Sequence, residues 1–168
     1  TSDADIGHLR FHNGSTAVLA QIRAERSGAN DNGLMKLQTT SGGSISTAIQ
    51  IENTGEVTMP KQPSVLAQPA STQNNLTNNA NTDIAFGSEI YDVGGDFSSP
   101  TFTAPVTGKY LCIVTLRLNN IDTAANYYYI VINTSNRTTY SPILDPATIF
   151  DADPAYWTLH MAKVTDMD

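Results

Sequence analysis

Histidine side chains are the strongest candidate metal ligands in this chain of 168 residues, which contains three of them. His8 and His12 lie four positions apart in sequence that alternates like a strand, a spacing that separates them by about 13 Å. One small metal ion cannot span this distance within a single chain, although histidines gathered at the axis of a trimer could bind one by symmetry. His160 is expected to be hydrogen-bonded or exposed. We therefore predict no metal site and no cofactor.

Carboxylates are concentrated at Asp145 and in the stretch that contains Asp151 and Asp153. Paired carboxylates can catalyse glycoside hydrolysis, and carboxylate oxygens can bind calcium. The Asp-x-Asp-Pro pattern is also typical of a turn, because Asp hydrogen-bonds nearby backbone groups and Pro fixes φ. We favour the turn over calcium binding, and calcium binding over catalysis. Since local sequence shows neither a serine–histidine–aspartate constellation nor a phosphate-binding glycine loop, we predict that the protein is not an enzyme.

Aromatic side chains accompany these carboxylates in the last third of the chain. Loops at the end of a rigid β sandwich are where binding residues usually lie. Aromatic rings provide the contact area that a glycan or protein surface needs. We predict a receptor-binding surface formed by Tyr140, Phe150, Asp151, Asp153, Tyr156 and Trp157.

Composition and charge exclude several classes of function. Charged residues make up 15% of the chain, and its formal net charge is −7. Residues 1–60 carry four basic and six acidic side chains, and residues 61–168 carry five basic and ten acidic ones. Neither segment shows the clustered Lys and Arg that binding to nucleic-acid phosphates requires. No window is apolar for long enough to insert into a membrane as a span.

Cys112 is the single cysteine, so no disulfide can form within one chain. It lies in the apolar run 110–114, where we predict a buried thiol that packs as a small hydrophobe. A reactive thiol would need a neighbouring cation or a helix N-terminus, and local sequence offers neither. The chain begins with Thr1 rather than Met and shows no signal peptide, so we expect a fragment or a processed product.

Short bursts of alternating apolar residues indicate β structure over residues 1–60. Strands with a turn signal about every eight to twelve residues are typical of an all-β protein. The apolar members of the bursts include Leu9, Phe11, Val18, Ala20, Ile22, Ala24, Leu34, Leu37, Ile49, Ile51, Val57 and Met59. The turn-forming pairs are Asn13-Gly14, Ser27-Gly28, Asn32-Gly33, Gly42-Gly43 and Thr54-Gly55.

One copy of this segment has too little apolar surface to fold alone. Burying apolar surface stabilises by about 25 cal/mol per Å², and each burst offers only a few apolar side chains on one face. Ordering the backbone costs roughly 1–2 kcal/mol per residue, and chains of ~60 residues are marginal even with a good core. Three copies packed around an axis would bury the apolar face of every strand. We therefore predict a trimeric shaft of short β strands over residues 1–60.

The remainder of the chain is predicted to be a linker followed by a β-sandwich head. Residues 61–82 are rich in Pro, Ser and Asn and contain one short strand at Val65-Leu66-Ala67. Residues 83–168 form the head. A strand over 110–118 places five side chains on one of its faces, namely Tyr110, Cys112, Val114, Leu116 and Leu118.

Residues 127–132, Tyr-Tyr-Tyr-Ile-Val-Ile, are predicted to form a strand with apolar side chains on both faces. Such a strand is buried on both faces, so one face would fill the core and the other would meet a neighbouring subunit. A sugar-stacking platform is the alternative, although alternation divides the three rings between two surfaces. The residues predicted to pack in the core or the trimer interface are Phe102, Tyr110, Tyr127, Tyr128, Tyr129, Ile130 and Ile132.

Three of the alternating segments carry a family resemblance. They are residues 20–24, Ala-Gln-Ile-Arg-Ala; residues 33–39, Gly-Leu-Met-Lys-Leu-Gln-Thr; and residues 49–57, Ile-Gln-Ile-Glu-Asn-Thr-Gly-Glu-Val. Their succession resembles the shaft repeat of bacteriophage tail fibres and tailspikes, over about residues 19–60.

A second resemblance covers about residues 64–168. Residues 102–110, Phe-Thr-Ala-Pro-Val-Thr-Gly-Lys-Tyr, contain the pattern Phe-Thr-x-Pro-x-x-Gly-x-Tyr and precede an apolar strand. With residues 84–86 and 91–97, they resemble the globular head of complement component one-q, a tumour-necrosis-factor-like jelly roll. The resemblance implies a jelly-roll sandwich that trimerises through apolar faces. Because the family continues into further strands beyond the position of Thr165, we expect the C-terminal strands of the head to be missing.

The two resemblances together imply a structural viral fibre protein. It would be a homotrimer that attaches a virion to the host-cell surface through its head, as part of an extracellular tail or appendage fibre. The implied partners are other virion tail or appendage proteins and a host surface glycan or protein. The alternatives are a tailspike-type glycan depolymerase, a non-binding structural appendage and a bacterial surface adhesin.

Overall fold

The computed structural model describes residues 5–14, 16–29, 31–77 and 79–168. Residues 1–4, 15 and 30 of the predicted shaft and residue 78 of the predicted linker lie outside this description. The described strands all pair antiparallel, which confirms the all-β prediction. The chain divides into two compact units, Thr1–Thr103 and Ala104–Asp168. The division predicted from the sequence, with a linker over 61–82, stays a prediction.

The first unit is built on a five-stranded sheet in which each strand pairs with the next along the chain. This meander follows from the short connections that the turn-forming pairs make possible. The strands are β1 (Asp5–Asn13), β2 (Ala17–Arg26), β3 (Gly33–Ser41), β4 (Ser44–Ile51) and β5 (Val57–Thr58).

The turn between β3 and β4 shows how local sequence produces this order. Ser41 pairs with Ser44, which leaves Gly42 and Gly43 as a two-residue loop. Both glycines have positive φ, +55° and +82°, as hairpin turns that match the twist of the strands require. Glycine adopts these angles without a steric penalty. The other predicted turn pairs also lie at strand ends or between strands.

Two antiparallel strand pairs complete the first unit. One joins β6 (Ser64–Gln68) to β7 (Ser88–Val93), and the other joins β8 (Phe97–Ser98) to β9 (Thr101–Phe102). The short strand predicted at residues 65–67 lies within β6 and is confirmed.

The second unit is built on two long paired strands, β10 (Gly108–Asn119) and β13 (Tyr156–Met167). The pairing is continuous over all 12 residues of each strand. The strand predicted over 110–118 is confirmed and extends at both ends. Cys112, which was predicted to be buried, is only half-buried, and desolvation raises the pKa of its thiol.

The core of the second unit lies between this strand pair and the chain that connects its two members. The connection contains β11 (Val131–Asn133), β12 (Thr138–Tyr140) and the single helical turn α1 (Pro146–Ile149). Side chains at alternate positions of β10 and β13 face the connection, because successive residues of a strand point to opposite faces. The buried cluster consists of Ile130, Leu144, Leu159 and Met161, with Val114, Leu116, Leu118, Tyr128, Ile132 and Phe150 packed against it.

The strand predicted over 127–132 is interrupted. Val131 pairs with Tyr140, whereas Tyr128 forms an isolated bridge to Leu144, so the register shifts by one residue between them. Pro142 lies within the shift and has no N–H with which to continue the ladder. The Ser141 hydroxyl compensates, since it accepts a hydrogen bond from the Ile130 N–H at 2.8 Å. The result is a local bulge rather than a regular strand.

Candidate functional site

The five-stranded sheet exposes one face made almost entirely of apolar side chains. The register places Ile22 opposite Leu37 and Leu37 opposite Ile49, and paired residues share a face. We call this surface the apolar face. It comprises Leu9, Phe11, Ala20, Ile22, Ala24, Met35, Leu37, Ile49, Ile51 and Val57.

Apolar side chains on this face remain accessible to solvent even at the centre of the sheet. Leu37 on the middle strand is 37% exposed and Phe11 on the first strand is 52% exposed. A shallow depression of about 310 Å³ lies between these side chains. The face therefore lacks, among the described residues of this unit, the packed second layer that a sheet normally buries one face against.

The opposite face of the sheet is polar and its side chains are bonded to one another. The Arg10 Nε donates to Gln21 Oε1 at 3.0 Å, and the Gln21 amide donates to Gln38 Oε1 at 2.5 Å. The Gln38 amide donates in turn to the Thr47 hydroxyl at 3.0 Å. This row crosses four strands and leaves Gln21 only 5% exposed.

A carboxylate on the same polar face is held by two cations. Glu25 lies 2.9 Å from Arg23 Nε and accepts a hydrogen bond from Lys36 Nζ. Glu25 is buried as a result, and a buried carboxylate is tolerated when it is paired and hydrogen-bonded. The polar side chains named here are thus paired within one chain, whereas the apolar face is left uncovered.

Two loops of the second unit meet beyond the paired ends of β10 and β13. The Asn120 N–H donates to the Ala155 carbonyl at 2.9 Å, and the Ile121 N–H donates to the Pro154 carbonyl at 3.1 Å. The Ile121 side chain is fully buried beneath them. A cavity of about 490 Å³ opens here, lined by Asn120, Ile121, Asp122, Asp153, Pro154 and Ala155.

Asp153 is fixed at this cavity by the neighbouring loop. Its Oδ1 accepts hydrogen bonds from the Thr123 N–H at 2.8 Å and the Thr123 hydroxyl at 2.6 Å. These hydrogen bonds, the hydroxyl's first, lower the pKa of the Asp153 carboxyl, because bonds donated to the ionised form stabilise it. Asp153 is therefore an anion at neutral pH.

The structure divides the predicted receptor-binding residues into separate groups. The Phe150 and Trp157 rings meet edge to face at 5.0 Å, and Phe150 also packs against the core. Tyr156 begins β13, whereas Asp151 and Asp153 are exposed in the loop before it. Tyr140 lies on β12, where its ring contacts Tyr129 at 5.6 Å.

The predicted packing residues also separate into groups. Tyr128, Ile130 and Ile132 belong to the core of the second unit or pack against it. Tyr127 is exposed and stacks on Tyr129 at 5.5 Å. Phe102 pairs with Phe97 in the first unit, and the Tyr110 hydroxyl donates to the Val106 carbonyl at 2.6 Å.

Sequence reasoning missed four residues at the loop end of the second unit. Asn120, Asp122 and Thr123 follow β10, and Arg117 on β10 places its guanidinium 5.6 Å from the centre of the Tyr156 ring. Thr123 bonds to Asp153, and Asn120 bonds to Ala155, so both contact a distant part of the chain. The only sequence signal was the polar tract that follows β10. It predicts a loop, but it does not predict which other segment of the chain that loop contacts.

A second exposed apolar surface lies on the outer face of the β10–β13 pair. Leu111 pairs with Val164 and Ile113 pairs with Ala162. Leu111, Ile113 and Val164 are all exposed. Beyond one end of this surface Arg137 forms two contacts with Asp166, at 2.5 and 2.8 Å.

The three histidines are not brought together. His8 Nδ1 lies 3.2 Å from Asp5, and His160 Nδ1 lies 3.0 Å from the Thr115 hydroxyl. Across the residues that the structure describes, no three metal-ligating side chains form a group suited to a metal ion.

Comparisons with protein-family models, with characterised proteins and with solved structures find no match to this chain. Among the described residues, none of the helical structure is long and apolar enough to cross a membrane.

Proposed function

We propose that this chain is a subunit of a homotrimeric virion fibre, in which residues 1–60 form a β shaft and the head attaches the particle to the host surface. The observation that carries the proposal is the apolar face of the five-stranded sheet. It is exposed in one chain, while the polar side chains of the opposite face bond to one another. A sheet of this kind gains stability when copies of itself cover its apolar side.

The energetics favour an assembly over a lone chain. Apolar surface contributes about 25 cal/mol for each Å² removed from water, and exposed apolar patches of this extent are typical of interaction sites. The formal net charge of −7 disfavours non-specific self-association of the chain. The number three comes from the resemblance of about residues 19–60 to phage fibre shafts, in which three chains wind together.

The second unit supports an attachment role for the head. It combines a long strand pair with an exposed apolar outer face and a cavity at its loop end. We interpret the outer face as a trimer contact of a jelly-roll-like head. Three heads on one fibre would make weak individual contacts strong, because linked sites bind with a high effective concentration.

Glycan depolymerisation is the less favoured function. A glycosidase needs a carboxylic acid whose pKa is raised so that it can protonate the leaving group. The hydrogen bonds from Thr123 shift the pKa of Asp153 in the opposite direction. Asp153 is therefore unsuited to be that general acid, although an ionised carboxylate suits the nucleophile or base of such an enzyme.

Two measurements test the proposal. An antibody raised against the chain is expected to label the appendages of virions from the source culture in electron micrographs. The purified chain, added in excess, is expected to reduce adsorption of those virions to their host cells. Labelled virions whose adsorption is unchanged would indicate a non-binding appendage, and labelled cell surfaces without virions would indicate a bacterial adhesin.

A further inference from the structure

The strand pair of the second unit has two long edges that no other strand covers. Among the described residues, β10 and β13 pair only with each other, and about half of the N–H and C=O groups of each strand point away from its partner. Over residues 111–118 and 157–165, no other backbone group of the described chain bonds to these outward groups. Each edge is therefore a row of donors and acceptors on which a further strand can pair.

Neither strand carries the features by which proteins usually protect such edges. Proline, β-bulges and charged side chains are the common devices. β10 and β13 contain no proline, their register runs without a shift over 12 residue pairs, and residues 110–116 carry no charged side chain. Edges of this length, about 40 Å at the rise of a strand, and of this regularity are typical of pairing surfaces.

The outer face of the pair is as uncovered as its edges. Exposure alternates strictly along β10, and Leu111 and Ile113 point outward together with their pair partners Val164 and Ala162. The inner face packs on the buried cluster of the unit. A partner of these strands must therefore meet two requirements, because the edges need hydrogen bonds and the outer face needs apolar cover.

We propose that three copies of the chain meet both requirements by joining their strand pairs into one closed sheet of six strands, in which β13 of each copy pairs with β10 of the next. The inference rests on the homotrimer proposed above and names the surfaces through which its second units associate. A threefold axis along the strands points every β10 one way and every β13 the other way. Each contact between copies is therefore antiparallel, like the pairing within a copy, and closure leaves no open edge.

The side chains of the outer face suit the interior of such a sheet. The connecting segment covers the inner face, so the outer face is the one that can line the interior. Side chains just fill a closed sheet of eight strands, and six strands enclose a narrower space. The three central residue pairs of the face contain no Asp, Glu, Lys or Arg, namely Leu111 with Val164, Ile113 with Ala162, and Thr115 with His160. Lys109 and Asp166 on one side of them, and Arg117 on the other, lie towards the ends of the strands, where water enters.

Residue-resolved amide hydrogen exchange on the full chain is the first test. In a lone strand pair, amides that point to an open edge exchange fast, so slow and fast residues alternate along β10 and β13. In the closed sheet this alternation is expected to be lost, with slow exchange at every residue over 111–118 and 157–165. Alternating exchange in the trimer would overturn the inference.

A matched pair of substitutions links the slow exchange to the outer face. Ile113 is 63% exposed on the outer face, and Ile143, which lies outside the strand pair, is 64% exposed. Ile113→Asp places three carboxylates inside the closed sheet, where like charges repel, and is expected to bring back alternating exchange. Ile143→Asp adds the same charge elsewhere on the unit and is expected to change nothing in β10 and β13. Slow exchange at every residue in Ile113→Asp would overturn the inference.

Trimers assembled from isotope-labelled and unlabelled chains identify the neighbouring strand without any variant, and they decide the matter if Ile113→Asp unfolds the unit. Nuclear Overhauser effects are expected between β10 of one copy and β13 of another. Effects between β10 of one copy and β10 of another would indicate twofold pairing and overturn the inference, as would the lack of any effect between copies at these strands. A trimer with either result loses the closed sheet but keeps the proposed fibre, whereas a monomeric chain refutes both.

Discussion

At the scale of single residues, the structure shows an ion pair whose two members shift each other's pKa values. Arg137 contacts both carboxylate oxygens of Asp166. Hydrogen bonds from Arg137, together with its charge, lower the pKa of the Asp166 carboxyl and raise that of the guanidinium. Arg137 is exposed and Asp166 is partly exposed, so water and salt screen the pair, and pairs of this kind contribute little to stability.

Replacement of Arg137 tests this pair through pH. Because the folded-state pKa of Asp166 is depressed, its stabilising contribution is present above the unfolded pKa of about 3.9 and is lost as the pH falls through the depressed folded-state value. Arg137→Gln is expected to raise the pKa of Asp166 towards its ordinary range. Carboxyl carbon NMR titration measures this directly, and a titration curve that stays unchanged in the variant would contradict the assignment.

At the scale of elements, alternation along the strands determines which surface each side chain reaches. The apolar bursts of β2, β3 and β4 place Ile22, Leu37 and Ile49 on one face, as their spacing predicts. Strand faces were therefore predictable from local sequence, because the side-chain period of a strand is two. The same reasoning located the long strand β10.

Features that depend on distant partners were not predictable in this way. The interruption at residues 127–130 arises because Pro142, which lies more than ten residues away, cannot donate to the ladder. The cavity likewise depends on Thr123 meeting Asp153. Local sequence indicated a turn at Asp153 but carried no information about which loop would bond to it.

One pair of substitutions tests whether the apolar face is an interface. Leu37 lies on the apolar face and is 37% exposed, whereas Ile45 lies at the far end of β4 on the polar face and is 43% exposed. Leu37→Asp would bury a charge in the assembly without a partner, which costs several kcal/mol. We expect it to dissociate the trimer.

Ile45→Asp introduces the same charge at similar exposure on the opposite face and is expected to leave the assembly intact. Sedimentation velocity compares the two variants with the unmodified chain. Equal sedimentation of all three proteins would contradict an interface on the apolar face, and dissociation by Ile45→Asp alone would place the interface on the polar face.

At the scale of the whole molecule, two compact units have complementary properties. The first unit has a sheet with an uncovered apolar face and little core of its own, while the second contains a small buried cluster and a loop-end cavity. In the proposed fibre the first unit forms contacts between the three chains, and the second unit binds the host surface. Trimerisation then links the two roles, because it presents three recognition sites together.

The native mass of the full chain in solution tests this account most directly. Native mass spectrometry at micromolar concentration, combined with amide hydrogen exchange, reports the assembly state and the folding of the sheet in one sample. The account predicts a species of three times the 18.1 kDa chain mass, with slow exchange over β2, β3 and β4. A monomer with equally slow exchange in these strands would contradict it, because the sheet would then be stable with its apolar face uncovered.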